Sequence, residues 1–178
     1  MPAVKVPDLS LSEWIVLSLV SEGPTHGNAV AHLLSRGGDL GQIWKVHKAV
    51  VYRSLDRLTQ LRLIQPAGEQ LSSLGPVRQL VDATEAGRAA ALAWLHRPVE
   101  HARDIRSELL VKLALLRRAG DDPGDLLTAQ HALLAPVAAA LHDRSAAVDG
   151  FDRTLLLWRY TNASAALSFL ESQLAAQP

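Results

Sequence analysis

A change of hydrophobic period near residue 62 constrains the fold of this chain more than any other feature. Before it, apolar residues recur at helical spacing in three segments, separated by Gly23-Pro24 and by Gly37-Gly38. After it, the short segments 63–65 and 77–81 are typical of strands, joined by a loop from Gly68 to Gly75. Three helices followed by a hairpin predict a winged helix-turn-helix.

Local signals predict where the first two helices begin. Ser10 and Glu13 have the Ser-x-x-Glu spacing of a capping box, in which each side chain satisfies a backbone donor of the other residue. Thr25 follows the break at Gly23-Pro24, and we expect it to cap the short second helix.

The third predicted helix, from about residue 47 to 61, is basic on one side and apolar on the other. Its apolar side is formed, at helical spacing, by Val51, Leu55 and Leu58. At about 100° per residue, the side chains that point away from this stripe are Ala49, Arg53 and Gln60, with Val50 and Arg57 on one flank and Tyr52 on the other. A helix of this kind suits the major groove, where Arg bonds guanine edges or phosphates and small apolar side chains touch thymine methyl groups.

Positive charge is concentrated on this segment although the whole chain has no net charge. Residues 44–62 contain five basic residues and one acidic residue, a net charge of +4, whereas residues 99–178 carry eight basic and ten acidic residues, a net charge of −2. Such a segment is either a solvated face or an electrostatic footprint for nucleic acid. Its place as the third helix before a hairpin favours contact with DNA.

The second half of the chain is predicted to be helical. Thr84 begins a helix from Glu85 to about residue 96, and further helices are expected at about 104–118, 125–144 and 151–175. Their wide Leu/Ala faces are too apolar for isolated hairpins, so we expect a second subunit to cover them. The predicted fold is mainly α with a small β-hairpin wing: a winged helix-turn-helix domain, residues 1–98, followed by an all-helical dimerisation domain, residues 99–178.

Composition and motifs exclude several classes of function. A hydrophobic share of 48% excludes a disordered chain, and the absence of cysteine excludes disulfides and thiolate metal sites. The first ten residues lack a signal-peptide pattern and no apolar run could cross a bilayer, so we expect a soluble, cytoplasmic protein without a membrane partner.

There is no phosphate-binding loop, nucleophile motif or supported carboxylate pair, which argues against an enzyme. The histidines lack metal-ligand spacing, so neither a metal site nor another cofactor is expected.

The ordered set of motifs resembles the PadR family of transcriptional regulators. It comprises LSEWIVL at 11–17, EGPTHG at 22–27, VYRSLDRL at 51–58 with Leu63-Ile64, ATEAGR at 83–88 and RSELLVKL at 106–113. The last of these is similar to a segment shared by members with long C-terminal domains. The resemblance implies a homodimer that represses promoters and releases DNA when a small molecule or another signal arrives.

Two departures from the family pattern concern the wing and the second helix. Gln79-Leu80 stands where tyrosines are common, and Arg78 is the single basic residue of the predicted wing strands. His26-Gly27-Asn28 lacks the tyrosine that usually follows this glycine. These departures weaken the expectation of minor-groove contact more than that of major-groove contact.

The predicted DNA-binding residues combine the charge pattern with the resemblance. They are Lys45, His47, Lys48, Ala49, Val50, Tyr52, Arg53, Arg57 and Arg78. Three of them could instead have structural roles. Arg57 could pair with an acidic neighbour, Tyr52 could pack in the core with its hydroxyl exposed to solvent, and His47 could begin the helix. The expected partner is double-stranded DNA bearing an inverted repeat. The alternative function is a winged helix that contacts proteins and does not bind DNA specifically.

Two further sets of residues are predicted for the helical half. Those expected to support the dimer are Ile105, Leu109, Leu113, Leu116, Leu156 and Leu167. Trp94 and Trp158 are candidates for stacking on a small aromatic effector, since the family senses phenolic and drug-like molecules. The alternative for both indoles is packing inside the bundle or at the dimer seam.

Overall fold

The computed structural model describes residues 8–72 and 75–176, with the backbone only for Ser72, Gly75 and Pro76. The chain forms two compact units. The first contains residues 8–95 together with Val111–Ala119, and the second contains His96–Leu110 and residues 120–176. The mainly helical fold with a two-stranded wing confirms the predicted fold class.

Helix α1, Leu11–Ser21, forms the centre of the first unit. The predicted capping box is present: Glu13 N–H donates to Ser10 Oγ, and Ser10 N–H donates to Glu13 Oε2 at 2.7 Å. Every residue from Trp14 to Val20 is buried. Helices α3 and α4 and the wing strand β2 all pack against α1, which explains why it is buried on all sides.

Helix α2, Gly27–Leu33, begins one residue later than a Thr25 cap would place it, so the expectation that Thr25 caps this helix was wrong. The N-cap is His26, whose Nδ1 accepts a hydrogen bond from Ala29 N–H at 3.1 Å. The backbone of Thr25 is instead paired in both directions with Val81 of the wing, at 2.9 and 2.8 Å. The Thr25 carbonyl accepts from Val81 N–H and the first amides of α2 bond to the His26 carbonyl, so His26 and not Thr25 occupies the cap position.

Helix α3, Lys48–Gln60, agrees with the predicted basic helix. Val51, Ser54 and Leu58 are buried on its inner side, and Leu55 is half-buried. Ser54 is accommodated there because its hydroxyl donates to the Val50 carbonyl at 2.9 Å. Helix α3 contacts α1, α2 and the first wing strand, so its inner side is fully used by the fold.

The wing is an antiparallel hairpin of β1, Ile64–Ser72, and β2, Gly75–Ala83. These strands are longer than predicted, and the expected loop from Gly68 to Gly75 is strand except for Ser73 and Leu74, which lie outside the described residues. Shifts of register between Pro66 and Gly68 and between Gln70 and Ser72 let the ladder continue. Gly68 stays in the ladder with φ at 105°, a conformation that glycine adopts readily.

Helix α4, Glu85–Leu95, closes the first unit over α1. Thr84 Oγ1 accepts the Gly87 amide at 3.1 Å, as expected of an N-cap residue. At the other end of α4, the indole of Trp94 stacks on that of Trp14, with ring centroids 5.5 Å apart and planes within 2° of parallel.

The predicted helix 104–118 is divided into three kinds of helical turn. A 3₁₀ turn, Ala102–Asp104, leads into a π-helical turn, Ile105–Leu109, and then into α5, Leu110–Ala119. The apolar periodicity of this segment predicts a helix but not the change in its hydrogen bonding.

The second unit is built on a pair of long helices, α6, Gly124–Ala146, and α7, Gly150–Ala175, which pack against each other. Buried Gln130 of α6 holds the segment before the 3₁₀ turn, since its side chain accepts from Val99 N–H at 2.8 Å and donates to Val99 O at 3.0 Å. Among the described residues, no helix has the length and apolar character needed to span a bilayer.

Gly87 offers a test of the packing of α4 against the start of the wing. A Cβ atom there would lie 2.0 Å from the Leu63 carbonyl oxygen, so Gly87→Ala forces the helix and strand apart. We expect it to lower the free energy of unfolding by about 1–3 kcal/mol, as overpacking does. Gly37→Ala is the matched control, because its Cβ would meet no atom within 4 Å. Thermal unfolding measures both, and equal stability of the two variants would contradict the packing.

Candidate nucleic-acid interface

The outward side of α3 is exposed over its whole length. Ala49, Arg53 and Gln60 are all exposed, and Val50 on the flank is half-buried. This side is therefore free of the contacts that hold α3 to the rest of the first unit. It is a convex, partly cationic helix surface of the kind that enters a DNA groove.

The basic residues differ in how far carboxylates neutralise them. The side chains of Lys45 and Arg53 have no hydrogen bond or ion pair with any residue that the structure describes. Arg57 is committed elsewhere: its Nε lies 3.1 Å from Glu13 Oε1, and its Nη2 donates to the Asp8 carbonyl at 3.3 Å. Arg57 thus takes the acidic neighbour that sequence analysis offered as its alternative role, whereas Arg53 is available for a ligand.

The N-terminal end of α3 forms a cationic cleft with α2. The cleft has a volume of about 300 Å³, and its lining includes no acidic residue; it is lined by Asn28, Ala31, His32, Ser35, Arg36, Lys45, Val46, His47 and Lys48. Lys48 Nζ donates to Asn28 Oδ1 at 3.2 Å, which ties α3 to α2. The His47 side chain makes no capping hydrogen bond, although the residue stands at the N-cap of α3. Sequence reasoning missed Asn28, His32 and Arg36, because only the tertiary packing of α2 brings them beside Lys45.

A second cleft, of about 440 Å³, lies along the other flank of α3. It contains Arg53 and Arg57 but also Asp56 and Glu13, so its charges are mixed. Mixed charges make this cleft a poorer site for a polyanion than the cationic cleft.

Tyr52 contributes both to packing and to the exposed side of α3. Its side chain is 43% exposed, and Lys48 Nζ lies 5.8 Å from the ring centroid. The ring also packs on Gly27: a Cβ atom on Gly27 would lie 3.0 Å from Tyr52 ring carbons and from Leu55 Cδ1. Glycine at residue 27 therefore lets α2 and α3 approach closely while the face of α3 that carries Tyr52 stays accessible.

The wing presents Arg78 on an exposed part of β2. Arg78 Nη1 lies 3.1 Å from His26 Nε2, at the start of α2. The neighbouring Gln79 donates to Glu69 Oε1 at 2.6 Å across the hairpin, so it is held within the wing.

The two tryptophans proposed for an effector have opposite surroundings. Trp94 is buried, its indole stacks on Trp14, and Lys112 Nζ lies 4.8 Å from its ring centroid. Trp158 on α7 is 66% exposed. A planar ligand could therefore reach Trp158 directly, whereas Trp94 serves the core of the first unit.

The residues predicted to support a dimer are mostly core residues of the single chain. Ile105, Leu109, Leu116 and Leu156 are buried, and Leu113 and Leu167 are half-buried. A partner subunit cannot touch the four buried side chains in this conformation. The exposed large apolar side chains of α6 and α7 are Leu133, Val137, Phe151, Leu157 and Trp158.

Within the described parts of the chain, no three His, Asp or Glu side chains are grouped as metal ligands. The exposed histidines have other neighbours, as in the contact of His131 Nε2 with Glu171 Oε1 at 3.4 Å. The histidines are thus best interpreted by their individual contacts.

The first unit has three helices followed by a two-stranded wing, and the third helix presents a basic side outward. This arrangement defines a winged-helix protein of the DNA-binding type. Residues 16–93 match the family model described as "Transcriptional regulator PadR-like family". This part of the chain is therefore similar to the PadR-like family, as its motifs predicted, and that family is one of transcriptional regulators rather than enzymes. No curated protein matches the chain.

Three solved structures are similar to most of the chain. PadR of Bacillus subtilis in complex with operator DNA shares 20% identity over 93% of this chain and 98% of that chain, with a TM-score of 0.48. The same protein in complex with p-coumaric acid shares 19% identity over 93% and 94%, with a TM-score of 0.41. The protein smu.1604c from Streptococcus mutans UA159 shares 15% identity over 92% and 98%, with a TM-score of 0.43.

Arg53 and Arg57 provide a matched pair of substitutions on one helix. Arg53→Ala should weaken DNA binding about tenfold or more, as the loss of a good base or phosphate contact does, and leave thermal stability unchanged. Arg57→Ala should affect stability by no more than about 1 kcal/mol through its exposed pair with Glu13, and binding less than Arg53→Ala. Binding titrations and thermal unfolding distinguish the two effects. Loss of the fold in Arg53→Ala, or equal losses of binding, would contradict this assignment.

Proposed function

We propose that this protein is a sequence-specific DNA-binding transcriptional regulator that acts as a homodimer and represses its target promoters. The observation that carries the proposal is the outward side of α3, where Arg53 has no carboxylate partner among the described residues and small side chains flank it. The family match of residues 16–93 supports the same conclusion.

In this proposal α3 reads the major groove. Its 13 residues span about 20 Å at the usual helical rise, enough to cross the groove. Arg53 bonds a guanine edge or a phosphate, and Ala49 and Val50 contact thymine methyl groups. Lys45, Lys48 and the Tyr52 hydroxyl position the helix on the backbone, which fixes register without reading sequence.

The helical half, residues 99–178, is proposed to hold two copies of the DNA-binding half, residues 1–98, together. Leu133 and Val137 lie four residues apart on α6, and Phe151 and Trp158 lie seven apart on α7, so each pair shares a helix face. A second copy of the chain would remove these exposed apolar side chains from water. Two-fold symmetry then requires an inverted-repeat operator with half-sites roughly 34 Å, or one DNA turn, apart.

The proposed signal is a small aromatic effector that releases the repressor from DNA. The resemblance to PadR regulators suggests this class of ligand, and the accessible indole of Trp158 provides a surface on which it could stack. Burial of the same indole at the dimer seam is the competing role, and the two roles have different consequences for subunit association.

A second candidate function is a winged helix that binds protein partners. The observations that favour it are the zero net charge of the chain and the wing, in which Arg78 is the one basic residue among those described. This alternative predicts that the protein selects no particular DNA sequence and that its binding to a partner does not depend on Arg53.

Selection of bound fragments from the genome of the source organism tests the operator. The proposal predicts enrichment of an inverted repeat, protected from nuclease over both half-sites. A reporter gene behind that repeat should be expressed more strongly when the protein is removed. Enrichment of a single unrepeated half-site would contradict the dimer, and no enrichment over random fragments would favour the protein-binding alternative.

Trp158→Glu tests the proposed seam. Placing a carboxylate on this exposed apolar face should convert a dimer to monomers in sedimentation velocity, because a buried unpaired charge is costly. Arg153→Glu is the control, since Arg153 is exposed on the same helix but about 140° away at the usual helical spacing. If Trp158→Glu remains a dimer, the Trp158 indole does not lie at the dimer seam. Quenching of wild-type tryptophan fluorescence by a panel of aromatic acids, lost in the variant, would then assign it to an effector site.

A further inference from the structure

Helix α7 carries two rows of residues at heptad spacing. The inner row, Leu156, Ala163 and Leu170, is buried in the second unit, where α7 packs against α6. The outer row alternates steps of four and three residues, as the a and d positions of a coiled coil do. We call this row the outer seam, and it consists of Phe151, Leu155, Trp158, Asn162, Ala165 and Phe169. It lies about 120° around the helix from the inner row at the usual helical spacing.

The outer seam is open to solvent in the single chain. Phe151 is 78% exposed and Trp158 is 66% exposed. Asn162 and Ala165 are exposed as well, and the other two residues of the seam are half-buried. Aromatic and aliphatic side chains at this spacing are suited to another helix, which supplies the holes into which they pack.

Asn162 is the one polar residue of the outer seam, and it stands at the middle of the helix. It is the thirteenth of the 26 residues of α7, and it occupies an a position because it follows a step of four. Its Nδ2 donates to the Trp158 carbonyl at 2.7 Å, whereas its Oδ1 and second amide hydrogen have no partner among the described residues. A polar side chain at a single a position specifies the register and the number of helices in a coiled coil, at a cost in stability.

The hydrogen-bonding capacity of Asn162 selects a second copy of α7 as the occupant of the outer seam. A carboxamide both donates and accepts, so it can satisfy an identical carboxamide. Two copies of α7 that overlap over their full length bring their middles together, whether they run parallel or antiparallel. In any shifted register Asn162 would meet an apolar residue of the seam, and an unpaired buried amide is costly.

Resting on the proposed homodimer, we propose that α7 of one protomer pairs with α7 of its partner along the outer seam, and that Asn162 bonds the partner's Asn162 and fixes the register of the pair. The exposed indole of Trp158 then belongs to the dimer seam.

Charge substitutions at residue 162 test whether it faces its own counterpart. Asn162→Asp and Asn162→Lys should each weaken the wild-type dimer by at least about 100-fold in sedimentation equilibrium, because like charges would face each other. An equimolar mixture of the two variants should recover most of this loss as a heterodimer, because opposite charges then meet. Single variants that associate like wild type, or a mixture that associates no better than either variant, would overturn the proposal.

Arg153→Asp is the matched control for these variants. Arg153 is exposed on the same helix, and nine residues before Asn162 it points to the opposite side, about 180° away. Its dimer should be as strong as that of wild type. Because Asn162 is exposed in the single chain, far-ultraviolet circular dichroism of the variants at residue 162 should also match wild type.

Disulfide cross-linking tests the same juxtaposition without adding charge. The chain has no cysteine, so Asn162→Cys places a single thiol on each protomer. Diamide should oxidise the two thiols of a dimer to an intermolecular disulfide, which requires Cα atoms within about 7 Å of each other. Arg153→Cys should remain without a cross-link at the same protein concentration. Equal cross-linking of the two variants would contradict the pairing at Asn162.

These outcomes separate the paired helices from the proposed function. A wild-type dimer that binds the selected DNA fragment, with no rescue in the mixture of charged variants, would overturn the outer seam and leave the dimeric regulator in place. A wild-type protein that stays monomeric at all concentrations would overturn both.

Discussion

The burial of helix α1 from Trp14 to Val20 is the constraint on which the rest of the first unit depends. A helix with seven consecutive buried residues, Trp14 to Val20, must be covered on all sides, and α3, α4 and the wing provide that cover. The parallel stack of Trp14 on Trp94 joins α1 to α4. Because α3 uses its apolar side against α1, its cationic side is left facing outward.

The same packing determines which arginines of α3 are paired with a carboxylate and which remain available to a ligand. Arg57 is close enough to α1 to pair with Glu13, and the pair leaves its charge partly neutralised. Arg53, one turn earlier, is exposed and its side chain makes no ion pair with a described residue, so it keeps its charge. A chain without net charge can therefore present a local cationic surface, since the fold determines which basic residues meet carboxylates.

Elements whose signals are local in sequence were predictable, and long-range pairings were not. The capping box at Ser10 and the bounds of α3 follow from residues within a few positions of each other. The N-cap of α2 was predicted wrongly at Thr25 because that backbone pairs with Val81, far along the chain. The wing was predicted too short, since its bulges let strands continue through Gly68. Of the candidate site, the basic face of α3 was readable from spacing, whereas the position of His26 beside Arg78 depends on that same long-range pairing.

The most direct test of the account is fluorescence anisotropy of a labelled duplex from the protein's own upstream region, titrated at two salt concentrations with random DNA as competitor. We expect saturable binding that resists the competitor and weakens steeply with salt, because neutralised phosphates release counterions. Binding that does not change with salt would contradict a cationic helix on DNA. Binding no stronger than that to random DNA would leave a distant operator or the protein-binding alternative, which the genomic selection separates.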